Sequence, residues 1–325
     1  MTLADIARLA GVSRTTASYV INGQAEQRRI SAATIEKVRA VVAAHRYHID
    51  PQAAALRRGA SRLIGLIVPD LENASYARLA KRLERGARER GYQLLVASSD
   101  DCAERERSLA AALRAQRCEV LITASCLDRE DAFYPELADE GLRIVGVDRG
   151  LCDTRFASVV SDDFEAARRL THSILGARTR RVAWLDAMPA LSISRERRAG
   201  FKAALEGRGI TARPLSAARY ERVEAAGLME VLFAEGEAVE AIITASYTLL
   251  EGVFDYFLAR GGLPDNVGLA TFGDHRLLDL LPRPVNTVAQ DVEQMARRTL
   301  ECAFEAIEGA AQPGRHVIAR TLRTR

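Results

Sequence analysis

Apolar positions recur along this chain at two different periods, and the period changes near residue 60. In the first stretch the spacing is helical: Ile6, Leu9 and Ala10 form one stripe, Thr16, Ala17, Val20 and Ile21 a second, and Ile35, Val38, Val41 and Val42 a third. Residues able to accept from free backbone N–H groups precede each stripe, namely Thr2 with Asp5, then Ser13, then Ser31. Gly11 and Asn22-Gly23 interrupt the runs. Two short helices joined by a glycine turn, closed by a third, predict a helix-turn-helix unit.

From residue 63 onward, short continuous apolar runs alternate with amphipathic stretches. The runs predict strands at 63–68, 93–97, 120–123, 144–147, 181–185, 241–244 and 267–271. Between them the helical period predicts helices such as 76–90, 105–115, 164–175, 196–206 and 248–260. Strand–helix alternation implies parallel sheets covered on both faces, and this many strands implies two lobes rather than one. The expected fold class is α + α/β: an N-terminal helix-turn-helix headpiece (1–47), a linker (48–61) and a two-lobed domain with parallel sheets (62–325). Its first lobe is expected from 62–160 and 291–325, its second from 161–290. In the linker, Pro51 disfavours helix at the residue before it. The following Gln52-Ala53-Ala54-Ala55-Leu56-Arg57-Arg58-Gly59 is too short to be a stable helix without a partner.

Composition changes this picture mainly through where the charge lies. The 325 residues carry a net charge of +3, but residues 1–60 hold nine Lys and Arg against four Asp and Glu, which leaves 37 against 39 for the rest. A basic head on a slightly acidic body points to a polyanionic partner for the head. No apolar run approaches the roughly 20 residues that span a bilayer, and the start Met1-Thr2-Leu3-Ala4-Asp5 lacks the order of a secretory signal. A cytoplasmic protein without membrane contact is expected.

The five cysteines (102, 118, 126, 152, 302) form no C-x-x-C pair and the five histidines no metal spacing, so no metal site and no cofactor are expected. There is no G-x-G-x-x-G after a strand, no P-loop and no G-x-S-x-G. The chain is not expected to be an enzyme.

Candidate chemistry gathers in two places. On the outward face of the second helix, Arg14, Thr15, Ser18 and Tyr19 have the donors and acceptors that meet base edges and phosphates. In open α/β sheets, ligands collect at the carboxyl ends of strands. Those ends carry Pro69-Asp70-Leu71-Glu72-Asn73-Ala74-Ser75-Tyr76, Asp148-Arg149 and Gly273-Asp274, while Ser192, Ser194 and Arg197 open the helix that contains Gly200-Phe201. Carboxylates accept from sugar hydroxyls and arginine forks match phosphate oxygens. Asn73, Ser75, Tyr76, Asp148, Arg149, Ser194, Arg197, Tyr247, Asp274 and Gln290 are the candidate effector-binding residues. Asp162-Asp163 reads as a helix start.

Leu3-Ala4-Asp5-Ile6-Ala7, Ala10-Gly11-Val12-Ser13 and Thr16-Ala17-Ser18-Tyr19-Val20-Ile21-Asn22-Gly23 resemble the headpiece of the lactose/galactose repressor family. Many members carry Val-Ser-Arg where this chain has Ala17-Ser18-Tyr19, so Tyr19 would read DNA differently. The resemblance implies Arg14, Thr15 and Tyr19 in the major groove, with Thr2, Ser13, Thr16, Ser18 and Asn22 on phosphates or as caps. It makes 52–59 a hinge helix that folds upon DNA, placing Ala53 and the wedge Leu56 in the minor groove.

The body resembles the family's effector domain, which is periplasmic-binding-protein-like. Arg197-Arg198-Ala199-Gly200-Phe201 fits the family's Arg-x-x-Gly-Phe, with Arg197 as the contact bridging the lobes. Ser13-Arg14-Thr15-Thr16-Ala17-Ser18-Tyr19, the 69–76 segment and Ala270-Thr271-Phe272-Gly273-Asp274 look most like the fructose-repressor branch. That implies a phosphorylated fructose as effector, fructose 1-phosphate before fructose 1,6-bisphosphate. Asp148 and Asp274 would hold its hydroxyls, Arg149 and Arg197 its phosphate.

The implied function is a sequence-specific transcription regulator of sugar and central carbon metabolism genes. It would bind a near-palindromic double-stranded operator as a homodimer or tetramer, with helix 76–90 expected in the interface, and be released by the effector. The alternative is a sugar-phosphate-binding protein without operator affinity.

Overall fold

The computed structural model describes residues 1–45, 60–234 and 238–325 and divides the chain into two compact units, Met1–Ser61 and Arg62–Arg325. In the first unit, helices α1 (Leu3–Ala10), α2 (Arg14–Ile21) and α3 (Ala32–Ala44) begin at the caps the sequence marks. Thr2 and Asp5 form a reciprocal capping box, and Ser13 and Ser31 accept from the N–H groups of Thr16 and Thr34. Each such cap contributes about 1 kcal/mol. Gly11 ends α1 at φ 66°, a left-handed conformation that a side chain would disfavour. The core is small: Ile6, Ala7, Ala10, Ala17, Val20, Ala25 and Val38. Leu9 departs from the expected stripe and is half exposed, while Ile6, Ala7 and Ala10 are the positions of α1 that turn inward.

The second unit has two six-stranded sheets. The first, in order β11-β5-β4-β3-β1-β2, comprises Leu63–Val68 (β1), Gln93–Ser98 (β2), Val120–Thr123 (β3), Arg143–Asp148 (β4), Ala157–Ser161 (β5) and Gly314–Ile318 (β11). The second, in order β12-β10-β9-β8-β6-β7, comprises Arg181–Ala187 (β6), Thr211–Ala217 (β7), Ala241–Thr244 (β8), Gly268–Phe272 (β9), Val285–Ala289 (β10) and Thr321–Arg323 (β12). All pairings are parallel except that of β12 with β10. The inner strands are nearly continuous apolar runs, as doubly covered sheets require.

Helices α4 (Ala74–Glu89), α5 (Ala103–Ala115), α6 (Phe133–Asp139) and α11 (Val292–Ile307) cover the first sheet. Helices α7 (Asp163–His172), α8 (Ser192–Leu205), α9 (Arg222–Ala234) and α10 (Tyr247–Leu258) cover the second.

The chain passes between lobes three times: from β5 into α7, from β10 into α11, and from β11 into β12. The last passage corrects the expectation that 291–325 lies wholly in the first lobe, because Thr321–Arg323 pairs with β10 of the second. Gly200 brings α8 against α7: a Cβ there would lie 2.1 Å from the Phe164 carbonyl oxygen. Phe201 stacks on the fully buried Trp184 at 5.0 Å and fixes the face that α8 presents.

Candidate functional site

In the headpiece the side chains divide by what they already bond. Ser13 Oγ lies 2.8 Å from Thr16 Oγ1, and Asn22 Nδ2 donates to Ser18 O at 2.8 Å and to Ser18 Oγ at 3.1 Å. Thr2, Ser13, Thr16, Ser18 and Asn22 therefore shape the ends of α1 and α2. Arg14 and Thr15 are exposed on the first turn of α2, their side chains free to reach outward. Tyr19 is half-buried, and the Arg28 guanidinium lies over its ring at 4.8 Å. Arg28, from the segment after α2, was not singled out by the sequence reading. Ala53 and Leu56 lie outside the described residues.

In the body, a cleft opens between the lobes at the carboxyl ends of the strands. The N-terminal ends of three helices contribute to its walls: the N-cap Asn73 with Ser75 and Tyr76 at α4, Ile193 at α8, and the N-cap Ser246 with Tyr247 at α10. Helix N-termini carry partial positive charge and unpaired N–H groups, so this geometry favours anions.

At the end of β4, Asp148 adopts φ 60°, and a tight turn closes with Arg149 N donating to Val147 O at 2.6 Å. Consecutive residues of an extended strand point to opposite faces. The reversal at Asp148 lets both its side chain and that of Arg149 line the cleft.

Asp148 is buried and densely bonded. Tyr76 donates its hydroxyl to Oδ2 at 2.7 Å, and Gln290 Nε2 donates to Oδ1 at 2.7 Å. Burial by itself would raise its pKa, but the Arg320 and Arg197 guanidiniums and the Tyr76 hydroxyl outweigh that and hold it below the usual value. Burial keeps the Tyr76 hydroxyl protonated, and the adjacent Asp148 carboxylate reinforces this.

Three guanidiniums share the cleft, from Arg149, Arg197 and Arg320, exposed by only 6%, 6% and 5%. Arg149 pairs with Asp101. Arg197 donates from Nε to Asp163 Oδ1 at 2.8 Å and from Nη1 to Ala245 O at 2.7 Å, above the Phe272 ring. Arg320 shares Asp163 at 3.3 Å without hydrogen-bond alignment of its Nε. Burial opposes the charge on all three. Asp101 restores it at Arg149 and Asp163 at Arg197, whereas Arg320 is held below its ordinary range because burial and the facing Arg197 outweigh Asp163.

Of the ten effector candidates, Asn73, Ser75, Tyr76, Asp148, Arg149, Arg197, Tyr247 and Gln290 come together around this cleft. Ser194 and Asp274 are not among its lining residues. The Ser194 hydroxyl is spent on Ala187 O at 2.8 Å and on the Tyr220 hydroxyl at 2.7 Å. The Asp274 carboxylate is held by Arg325 at 2.7 Å, Arg323 at 2.8 Å and Thr287 at 3.0 Å. Residues the sequence did not signal complete the wall: Asp101, Tyr220, Ser246 and Arg320. Asp162 and Asp163 do begin α7, as read, but they also pair with arginines. Among the described residues no helix is long and apolar enough to cross a membrane.

Comparison with known proteins gives two family matches. Residues 2–50 match the model of bacterial regulatory proteins of the lacI family, and residues 61–288 that of periplasmic binding proteins and the sugar-binding domain of the LacI family. The chain is 44% identical to the fructose operon regulatory protein of Vibrio cholerae over 325 residues, all of both chains. It is 44% identical to the catabolite repressor/activator of Escherichia coli K12 over 314 residues, 96% of this chain and 94% of the other. Among solved structures, the Cra transcriptional dual regulator of Pseudomonas putida in complex with fructose 1-phosphate is 47% identical. It superposes with a TM-score of 0.78 over 81% of this chain and 98% of its own.

Proposed function

The chain belongs to the lacI family of bacterial regulatory proteins, and from that premise we propose that it is a transcription regulator released from its operator by fructose 1-phosphate. The observation that carries the effector is the placement of Arg149, Arg197 and Arg320 beside Asp148 in one cleft. Guanidinium forks and helix N-termini suit a phosphate, and a carboxylate held ionised suits hydroxyls, so a polyhydroxylated anion meets both requirements. The relative with fructose 1-phosphate bound has the same fold over this unit.

Arg197 and Arg149 take the phosphate, with Arg320 completing the positive wall, while Asp148, Asn73 and Ser75 take hydroxyls. Tyr247 and Gln290 border the site. Arg14, Thr15 and Tyr19 read bases, and the hydroxyl and amide groups that cap α1 and α2 lie toward phosphates. Ala53 and Leu56 form the minor-groove wedge. The chain acts in the cytoplasm as a homodimer or tetramer on a near-palindromic operator, and effector binding draws the lobes together and disfavours the DNA-bound arrangement.

Calorimetric titration of the full chain tests the effector. Each charge-assisted hydrogen bond to the phosphate is worth about 1.5–3 kcal/mol, so fructose 1-phosphate should bind at least about tenfold tighter than fructose. Equal affinities would remove the phosphate from the account.

A further inference from the structure

Arg320 lies in the third passage between the lobes and bonds to the first passage, to Arg169 of α7, and to Asp148 at the end of β4, whose Oδ1 lies 3.7 Å from its guanidinium. Its backbone N–H donates to Asp162 Oδ1 at 2.7 Å, its side chain pairs with Asp163 at 3.3 Å, and its carbonyl accepts from Arg169 Nη2 at 3.0 Å. Arg169 Nη2 also donates to Asp162 Oδ2 at 2.8 Å. Gln290, in the second passage, donates to Asp148 at 2.7 Å and to Ser161 Oγ at 3.3 Å. The three passages are thereby tied side by side through polar groups, and the ties end on Asp148 and Asp163. The first of these carboxylates lines the cleft; the second holds Arg197 in place.

Asp163 Oδ1 is shared between two guanidiniums, aligned for hydrogen bonding with Arg197 but not with Arg320. An anion drawing on Arg197 loosens that guanidinium's hold on Asp163 and frees the carboxylate to align with Arg320. Buried polar groups with two ways to be satisfied switch between discrete arrangements rather than deforming smoothly. Resting on the proposed function above, we propose that Arg169, Asp162 and Arg320 form a clamp across the lobe passages that transmits effector binding to operator affinity. Arg169 is a positioning residue in this scheme. It does not line the cleft, and it acts only by holding Asp162 and the Arg320 carbonyl.

Linkage supplies a readout that a merely structural role would not move. The effector's Kd is measured for the free full-length chain and for the chain saturated with a duplex selected for binding by the wild type. The ratio of the two is the coupling factor, with typical values of about 5–150. In Arg169→Gln the free-chain Kd for fructose 1-phosphate should stay within about twofold of wild type while the coupling factor falls at least about fivefold. Arg169→Lys should recover part of it. Asp162→Asn, which keeps an acceptor for the Arg320 N–H but weakens the Arg169 contact, should show the same loss and gives the reading if Arg169→Gln fails to fold. A wild-type factor above one that is retained in both variants overturns the clamp alone. A wild-type factor of one overturns the proposed function, and the clamp with it.

Discussion

Arg197→Met separates what this side chain does for the fold from what it does for the effector. Methionine keeps much of the length and the contact with Phe272 but removes the charge, which now donates to Asp163 at 2.8 Å and to Ala245 O at 2.7 Å. Removing one partner of a buried ion pair typically destabilises by 3–5 kcal/mol. Asp163 retains Arg320 at 3.3 Å, which places the loss near the lower bound, about 3 kcal/mol. For a domain of this size each kcal/mol lowers Tm by roughly 2–4 °C, giving a fall of about 6–12 °C. Loss of one charge-assisted bond to the phosphate removes a further 1.5–3 kcal/mol from binding, or roughly 10- to 150-fold in Kd. The unliganded variant should bind operator more weakly than wild type, since Asp163 released from Arg197 is free to align with Arg320 as it is when effector is bound. Thermal melts, calorimetry with fructose 1-phosphate and DNA anisotropy check the three parts. A folded variant that binds effector within twofold of wild type would refute the assignment of Arg197.

Three other perturbations follow from particular contacts. Arg14→Ala removes an exposed base-reading candidate and should weaken operator binding by about 1–3 kcal/mol while relaxing preference at one base pair, as read by competition among single-base operator variants. Gly200→Ala places a methyl group against the Phe164 carbonyl; it should destabilise the body by roughly 1–3 kcal/mol and weaken effector binding by moving Arg197, which denaturant melts and calorimetry would register together. The pH dependence has a defined sign. Arg320 and Arg197, outweighing burial, depress the pKa of Asp148, so its contribution to stability is present above its unfolded value near 3.9 and is lost only as pH falls below that. Effector affinity between pH 5 and 8 should therefore follow the phosphate's second ionisation near 6, rising to about pH 7 and then levelling. A decline across that range would contradict the assignment of Asp148 as an ionised acceptor.

The headpiece was almost wholly legible in the sequence, because caps, glycine stops and small core residues are local signals. Most inner strands were legible for the same reason, as at Leu63–Val68 and Ala241–Thr244, where the strand is buried and the run nearly all apolar. What escaped lies at three of the four sheet edges and at the inner strands β5 and β10, whose Ser158, Ser161, Asn286 and Thr287 break the apolar run. Thr211–Ala217 contains Pro214, and Gly314–Ile318 and Thr321–Arg323 carry charged side chains. Edge strands are blunted in this way and lose the apolar signature. Arg320 escaped with them, since nothing local marks an arginine between two edge strands as part of a buried cleft. Asp101 and Tyr220 come from polar segments after edge strands β2 and β7 and meet Arg149 only in the folded lobes. Asp274 shows the converse. Its position after β9 was read correctly, but Arg323 and Arg325, distant in sequence, engage its carboxylate.

The most direct measurement of the central claim is release from DNA. The full chain is bound to a fluorescently labelled near-palindromic duplex selected by it, and fructose 1-phosphate is titrated while anisotropy is followed, with fructose and inorganic phosphate as controls. Anisotropy should fall to that of free duplex with fructose 1-phosphate and stay unchanged with either control at the same concentration. A complex that persists at saturating fructose 1-phosphate would contradict the account.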